Sequence, residues 1–349
     1  MNGNYHYILG IVFCLFSAIC YSQLDSASKE FKNYTNGCKQ LDSANYKEAI
    51  VEFKKAIKLN SDCSQAYNKM ALAKIKTEDY KGAEKDIKVA LKIAPDNFES
   101  EKYLSIILYE TKRYKEAKTM MDSAISQNSD DPELFYYQAK LMLDGKAHKA
   151  AFDACQKAID LKPNYVEAMI LKGEIKLLSK EYAYAVKELN EGIKLMSAEK
   201  PIYKAYKLRA QARFEIGDYK NAVSDWNIYL DAFPEEEGAL ISRGACKIET
   251  KDNTGAIVDL DAAIKLNDNN PVSYNYRGVA KGESRQFVEA LKDLDYAIKL
   301  KFNYGEAFVN RAAVKFASKD KHGACEDLNK ADSLGDEMAI RLIETYCKH

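Results

Sequence analysis

The sequence predicts an all-α solenoid of nine helix-turn-helix repeats closed by a C-terminal capping helix, and three observations carry that expectation. The first is a period. Steps of 34 residues from Ala290, with a single step of 37, reach Ala49, Ala83, Ala117, Ala151, Ala185, Ala222, Ala256 and Ala324. The second is a series of small residues on the same steps: Gly37, Ala71, Ser105, Ala139, Gly173, Ala210, Gly244, Gly278 and Ala312. The third is the pattern within residues 271–300, where two amphipathic helical stretches flank a short breaker at 282–286. A fixed period of this size marks repeats that bury their apolar faces on one another. Helices of three to four turns are marginal alone in water, so stacking must hold them.

Tyr46, Tyr80, Tyr114, Tyr182, Tyr219 and Phe287 each stand three residues before the central alanine, and Pro95, Pro163 and Pro234 follow second helices. Together with small residues at the eighth, twentieth and usually twenty-seventh places, this resembles the tetratricopeptide repeat. The resemblance covers about residues 30–334. His148, Asn253 and Lys321 replace the aromatic, so the turn before the second helix is expected to pack less well in those repeats. The resemblance implies a right-handed solenoid whose first helices line a concave groove, and it is specific for fold rather than for function.

Residues 1–22 read as an export signal: the apolar run 8–20 is too short to span a bilayer, and Cys20, Tyr21 and Ser22 precede polar Gln23. The opening MNGNYHY lacks the usual positive charge, and an uncleaved anchor or lipidation at Cys20 are the alternatives. Residues 23–29 form a polar lead-in. The nine repeats fill 30–334, with a three-residue insertion near 197–201 that is expected to protrude. Residues 335–349 form the cap, where Gly335 ends the last repeat and Met338, Ile340, Leu342, Ile343 and Tyr346 make an amphipathic stretch.

Arg209, Arg243, Arg277 and Arg311 recur beside Asp225, Asp259, Asp293 and Asp327 at the same period, with Lys172 and Glu188 as a weaker copy. In an antiparallel helix pair the two positions lie at similar height, so these are expected to be structural ion pairs. The alternative is a row of arginines offered to an anionic partner. Tyr229 stands at a place usually held by alanine, beside the only tryptophan, Trp226, and a core patch is favoured over an aromatic groove wall.

By the resemblance, the groove is lined by Glu133, Tyr136, Lys140 and Leu143 in the fourth repeat and by Lys204, Lys207, Gln211 and Phe214 in the sixth. Ile241, Ala245 and Ile248 follow in the seventh, Asn275 and Val279 in the eighth, and Val309, Ala313 and Phe316 in the ninth. Its C-terminal half is apolar. The lysine and asparagine set of a carboxylate clamp is not reproduced, which argues against recognition of a free acidic tail.

Lysine plus arginine equals aspartate plus glutamate at 52 each, so the chain lacks the charge footprint of a nucleic-acid binder. Export would allow Cys38, Cys63, Cys155, Cys246, Cys325 and Cys347 to pair, and Cys325 with Cys347 is the candidate disulfide. His322, Cys325, Cys347 and His349 supply zinc-ligand types, but the spacing is tight and His349 is terminal, so no metal site is expected. No phosphate loop, nucleophile elbow or zincin motif is present. The expectation is a non-enzymatic scaffold, without catalytic residues, cofactor or small-molecule substrate, that holds a peptide or helical segment of a partner protein in its groove. A structural subunit of a cell-envelope assembly is the alternative. Either would sit in the periplasm or outside the cell, at the outer membrane if the N-terminal segment is retained or lipidated.

Overall fold

The computed structural model describes residues 26–197 and 201–347. Residues 1–22, read above as an export signal, the inserted residues 198–200 and His349 lie outside the described residues.

Among the described residues every regular element is a helix, and the helices pair. The first repeat joins α1, over residues 26–42, to α2 (Tyr46–Leu59). Then follow α3 (Ser64–Lys76) with α4 (Tyr80–Ile93), α5 (Phe98–Glu110) with α6 (Tyr114–Gln127), and α7 (Pro132–Asp144) with α8 (His148–Leu161). These eight helices belong to one compact unit ending at Pro163. From Asn164 a second compact unit pairs α9 (Val166–Leu178) with α10 (Tyr182–Leu195), α11 (Tyr203–Glu215) with α12 (Tyr219–Ala232), and α13 (Glu237–Glu249) with α14 (Asn253–Leu266). It continues with α15 (Pro271–Glu283) and α16 (Phe287–Leu300), then α17 (Gly305–Ala317) and α18 (Lys321–Ser333), and ends with the cap α19 (Glu337–Tyr346). Within each unit a helix packs on its neighbours in sequence, and first helices also touch the next first helix. The polar lead-in is helical from residue 26, so α1 starts earlier than the sequence reading placed the first repeat.

The helix starts are chemically marked. Asp79, Asn97, Asp131, Glu236, Asp252, Asn270, Asp320 and Asp336 each accept a backbone N–H of the following first turn. That satisfies one of the donors a helix leaves orphaned. Pro132 and Pro271 occupy the first turn, where a missing N–H costs nothing.

The turn inside each repeat is the same in all nine, and the sequence hides it. Ala44, Glu78, Lys112, Lys146, Lys180, Lys251, Arg285 and Lys319 all have positive φ, and Gly217 holds the equivalent place at 78°. At Glu78 the N–H bonds back to the Ile75 carbonyl while the Asp79 N–H reaches Lys74, and Gly217 and Asp218 repeat this with Phe214 and Arg213. This pair of bonds closes the carbonyls at a helix C-terminus and requires a left-handed residue. A non-glycine residue there costs about 1–2 kcal/mol, which the recovered bonds offset, and the lysines and arginine favour the negative helix end.

The second helix begins at the same place whether its first residue is aromatic or not. His148 and Asn253 are half-buried, as Tyr46 and Tyr80 are, and only Lys321 is exposed, whereas Tyr114 is itself exposed. The loss of packing expected at three repeats is therefore confined to one, because the turn bonds rather than the ring fix the geometry.

The small residues explain how the helices of a pair approach. A Cβ built on Gly278 would lie 2.7 Å from Leu294 Cγ and 3.1 Å from the Ala290 carbonyl oxygen. Gly37, Gly173 and Gly244 meet Phe53, Leu189 and Leu260 in the same way. Each of these glycines is thus the socket for a large side chain sixteen positions later, and the full series at that place, Phe53, Ile87, Met121, Cys155, Leu189, Trp226, Leu260, Leu294 and Leu328, is buried throughout.

Cys325 on α18 and Cys347 after α19 form a disulfide closing a separation of 22 residues. Closing a loop of that length restricts the unfolded chain by about 3 kcal/mol. Reduction under native conditions is expected to raise hydrogen exchange in α19 while α15 and α16 keep their protection. Two free thiols in non-reduced peptides, or exchange in α19 that ignores reductant, would count against the staple.

Candidate functional site

The first helices α11, α13, α15 and α17 of the second unit bring the sequence-predicted groove residues to one face, but not all to its surface. Ile241, Ile248 and Val309 are 5–8% exposed, and Asn275 is fully buried. Ile248 packs in the core around Trp226, and Val309 in the core beneath the cap. Asn275 donates to Tyr304 Oη at 3.3 Å and to Glu306 Oε1 at 3.1 Å, and accepts from Asn310 Nδ2 at 3.0 Å. These side chains hold neighbouring repeats together, so the surface offered outward is less apolar than the sequence suggested. Gln211, Val279 and Phe316 remain partly accessible, and Phe316 lies 5.6 Å from the ring of Tyr346 behind the cap.

What stays open is a pair of clefts in one register. The first, about 290 Å³, lies between α11, α13 and α15 and includes Phe214, Glu215, Trp226, Ile241, Ala245 and Tyr276 in its walls. The second, about 370 Å³, lies between α15 and α17 and includes Val279, Gly282, Glu283, Ala313 and Val314. Gln211, Phe214 and Glu215 occupy the ninth, twelfth and thirteenth places of their repeat, as Val279, Gly282 and Glu283 do two repeats later. The same geometry therefore recurs, with different side chains. Trp226 settles the choice posed by the sequence in an unexpected way: it is core, 1% exposed, and also the floor of the first cleft. Its Nε1 is buried, with the Cys246 thiol as its polar neighbour. Tyr229 stands outside the cleft lining, against Phe233 at 5.0 Å.

The groove residues of the first unit are engaged internally. Lys140 Nζ pairs with Glu110 at 3.0 Å and lies 4.6 Å from the ring centroid of Tyr109, 4.8 Å from Tyr137 and 5.8 Å from Tyr136. Burial first, and then the Asp144 carboxylate that accepts its hydrogen bond, push the Tyr109 hydroxyl up. Lys207 in the second unit is likewise held, by Glu236 at 3.0 Å and over the Tyr229 ring at 5.3 Å. Lys69 with Glu99, Lys102 with Asp131, and Lys204 with Glu174 tie adjacent first helices in the same manner.

The arginine series is fully engaged as well. Arg209, Arg243, Arg277 and Arg311 each reach Asp225, Asp259, Asp293 and Asp327 through Nε and Nη2, at 2.5–2.9 Å. Two further members were not read from the sequence. Arg213, Lys247, Lys281 and Lys315, four places on, bring a second cation to the same carboxylates. The remaining Nη1 of each arginine donates to the preceding repeat, at Asn190, Asn227, Asp261 and Asp295. Both extra series follow the repeat period, with the single step of 37 falling between Asn190 and Asn227, and were legible in principle. Burial works against the Arg277 charge, but its bonds to Asp293 and Asp261 prevail and hold it above its usual range. Lys172 and Glu188 make the weaker copy at 3.0 Å. In the first unit Asp86 is bonded by Lys74, Met70 stands where the arginine would, and burial holds its carboxyl above the usual carboxylate range.

Among the described residues no group of three or more histidines, cysteines or carboxylates is placed to hold a metal. Cys325 and Cys347 are joined, and exposed His322 lies 3.3 Å from Glu326. Burial pushes the Cys246 thiol up to about 12, which keeps it an inert core group.

Residues 75–141 match the tetratricopeptide repeat family model. In fold the chain is similar to the PilF protein of Pseudomonas aeruginosa, at 18% identity and a TM-score of 0.54 over 64% of this chain and 99% of that one. It is also similar to a chain of the Cut9–Hcn1 hetero-tetramer of the APC/C, at 13% identity and a TM-score of 0.51, covering 90% of this chain and 75% of that one. A tetratricopeptide repeat protein from Parabacteroides merdae aligns at 17% identity with a TM-score of 0.46, over 72% of this chain and 98% of that one. No curated protein matches. In fold, then, the chain resembles the tetratricopeptide-repeat solenoids, and residues 75–141 carry that family's own pattern.

Proposed function

We propose that this chain is a scaffold that seats an extended or helical segment of a partner protein along α11, α13, α15 and α17. The observation that carries the reading is the recurrence of two open clefts in one repeat register, both on first helices. A preformed surface of this kind binds by side-chain pockets rather than by rearrangement. The engaged lysines and arginines leave no unpaired cation of those series to clamp an acidic tail, which favours a partner held by side chains over one held by its terminus. A photoreactive residue at Gln211 or Val279 is expected to crosslink partner protein far more efficiently than one at Val258, which is exposed on a second helix. Equal capture at the three positions would refute the groove.

The same reading takes the protein to be exported. The support is the apolar run at residues 8–20 and a disulfide of a kind that persists in oxidising compartments. Mass measurement of the mature N-terminus from fractionated cells tests it, and an intact Met1 in a cytosolic fraction would refute it.

A further inference from the structure

The first cleft has a chemical character that the second lacks. At about 290 Å³ it lies at the small end of ligand pockets, with room for one side chain. Phe214 and Tyr276 give it aromatic walls over the Trp226 floor, and Ile241 and Ala245 add apolar lining. Glu215 stands in its lining, exposed and with no ion-pair or hydrogen-bond partner among the described residues. Glu249, exposed at the equivalent place one repeat on, stands outside that lining but near Tyr276, whose hydroxyl is pushed up by burial, then by Glu306 and then by Glu249. The cations on the surrounding helices are already committed, Lys204 to Glu174, Lys207 to Glu236, Arg209 and Arg213 to Asp225, and Arg243 and Lys247 to Asp259. In the second cleft, by contrast, Glu283 is paired with Lys251 at 3.1 Å.

We propose that the cleft between α11, α13 and α15 takes a basic side chain, arginine or lysine, from the partner segment. The aliphatic stem lies against the aromatic walls and the cationic head meets Glu215 and Glu249. This rests on the scaffold reading above and adds the chemistry of its partner. An aromatic wall beside free carboxylates suits that occupant because a cation gains from both at once, by attraction to the ring face and by direct charge pairing. An apolar side chain would leave the carboxylates unused, and an acidic one would be repelled. The second cleft, apolar and with its glutamate neutralised, takes an apolar anchor of the same segment.

The single tryptophan gives a local readout. Titration of the full chain with the peptides acetyl-(Leu-Arg)₃-amide, acetyl-(Leu-Gln)₃-amide and acetyl-(Leu-Glu)₃-amide is followed by Trp226 emission. The arginine peptide is expected to shift the emission and to bind about tenfold more tightly than the glutamine peptide, with added salt narrowing the gap. The exposed double substitution Glu215→Gln/Glu249→Gln is expected to remove the preference while leaving the fold intact. Equal binding of the glutamine peptide, or a preference that survives the double substitution, overturns the basic side chain but leaves the groove standing. Tighter binding of the glutamate peptide overturns it too. No emission change with any of the three overturns both readings at this site. A concentration-dependent dimer in light scattering that the double substitution dissolves assigns the cleft to a second copy of the chain and likewise overturns the proposal.

Discussion

Replacing Asp293 by alanine is expected to destabilise its repeat and the two that flank it by about 3 kcal/mol, at the lower end of the range for removing one member of a buried charge cluster. The carboxylate is 6% exposed and accepts from Arg277 Nε at 2.8 Å, Arg277 Nη2 at 2.6 Å and Lys281 Nζ at 2.7 Å. Without it two cations face each other in a poorly hydrated site. Their side chains keep 17% exposure, and water reaching the heads is the reason the estimate stays near the lower end. Asp261 accepts from the same arginine but is 55% exposed, so Asp261→Ala should cost less than about 1 kcal/mol. Urea denaturation with hydrogen exchange resolved by helix separates the two cases. Arg277→Ala added to Asp293→Ala should cost far less than the two single losses combined, since partners in one network do not add. Unchanged stability in Asp293→Ala would show that the ladder is ornament.

The ladder also shows what a sequence can and cannot disclose. The Arg277 and Asp293 pairing was legible because both series are invariant in spacing and opposite in charge. Lys281 and Asp261 keep the same spacing, yet lysines and aspartates on solvated helix faces are too common for a period to single them out. The positive-φ turns were hidden for a different reason. Only Gly217 advertises a left-handed residue, while Lys112, Lys251 and the others accept that conformation because the turn bonds hold them in it. How deep each expected groove residue lies is something only packing decides. Ile248 and Asn275 share their repeat places with open residues elsewhere, and the closeness of the next first helix buries them. Glu215 and Glu249 were passed over because an unpaired carboxylate is recognised only once its neighbours are seen to be committed elsewhere.

Trp226→Ala is expected to cost about 3–5 kcal/mol, the range for truncating a large buried aromatic. The indole is 1% exposed and fills the socket above Ala210, among Leu230, Leu240 and Leu260. Its equivalents in the following repeats are Leu260, Leu294 and Leu328, all fully buried, so the socket itself accepts leucine. Trp226→Leu should therefore cost roughly half as much, because a leucine keeps the helix pair closed and leaves only part of the indole's volume empty. The two substitutions differ again at the surface, since the same indole is the floor of the first cleft. In Trp226→Leu the fold survives with a deeper, less aromatic cleft, and affinity for a basic peptide, followed now by anisotropy of a labelled peptide, should fall while the second cleft is untouched. If Trp226→Leu proves as costly as Trp226→Ala, the indole is held by something other than its socket. If the leucine variant binds the peptide unchanged, the aromatic floor contributes nothing to recognition, and the two roles assigned to this residue separate into one.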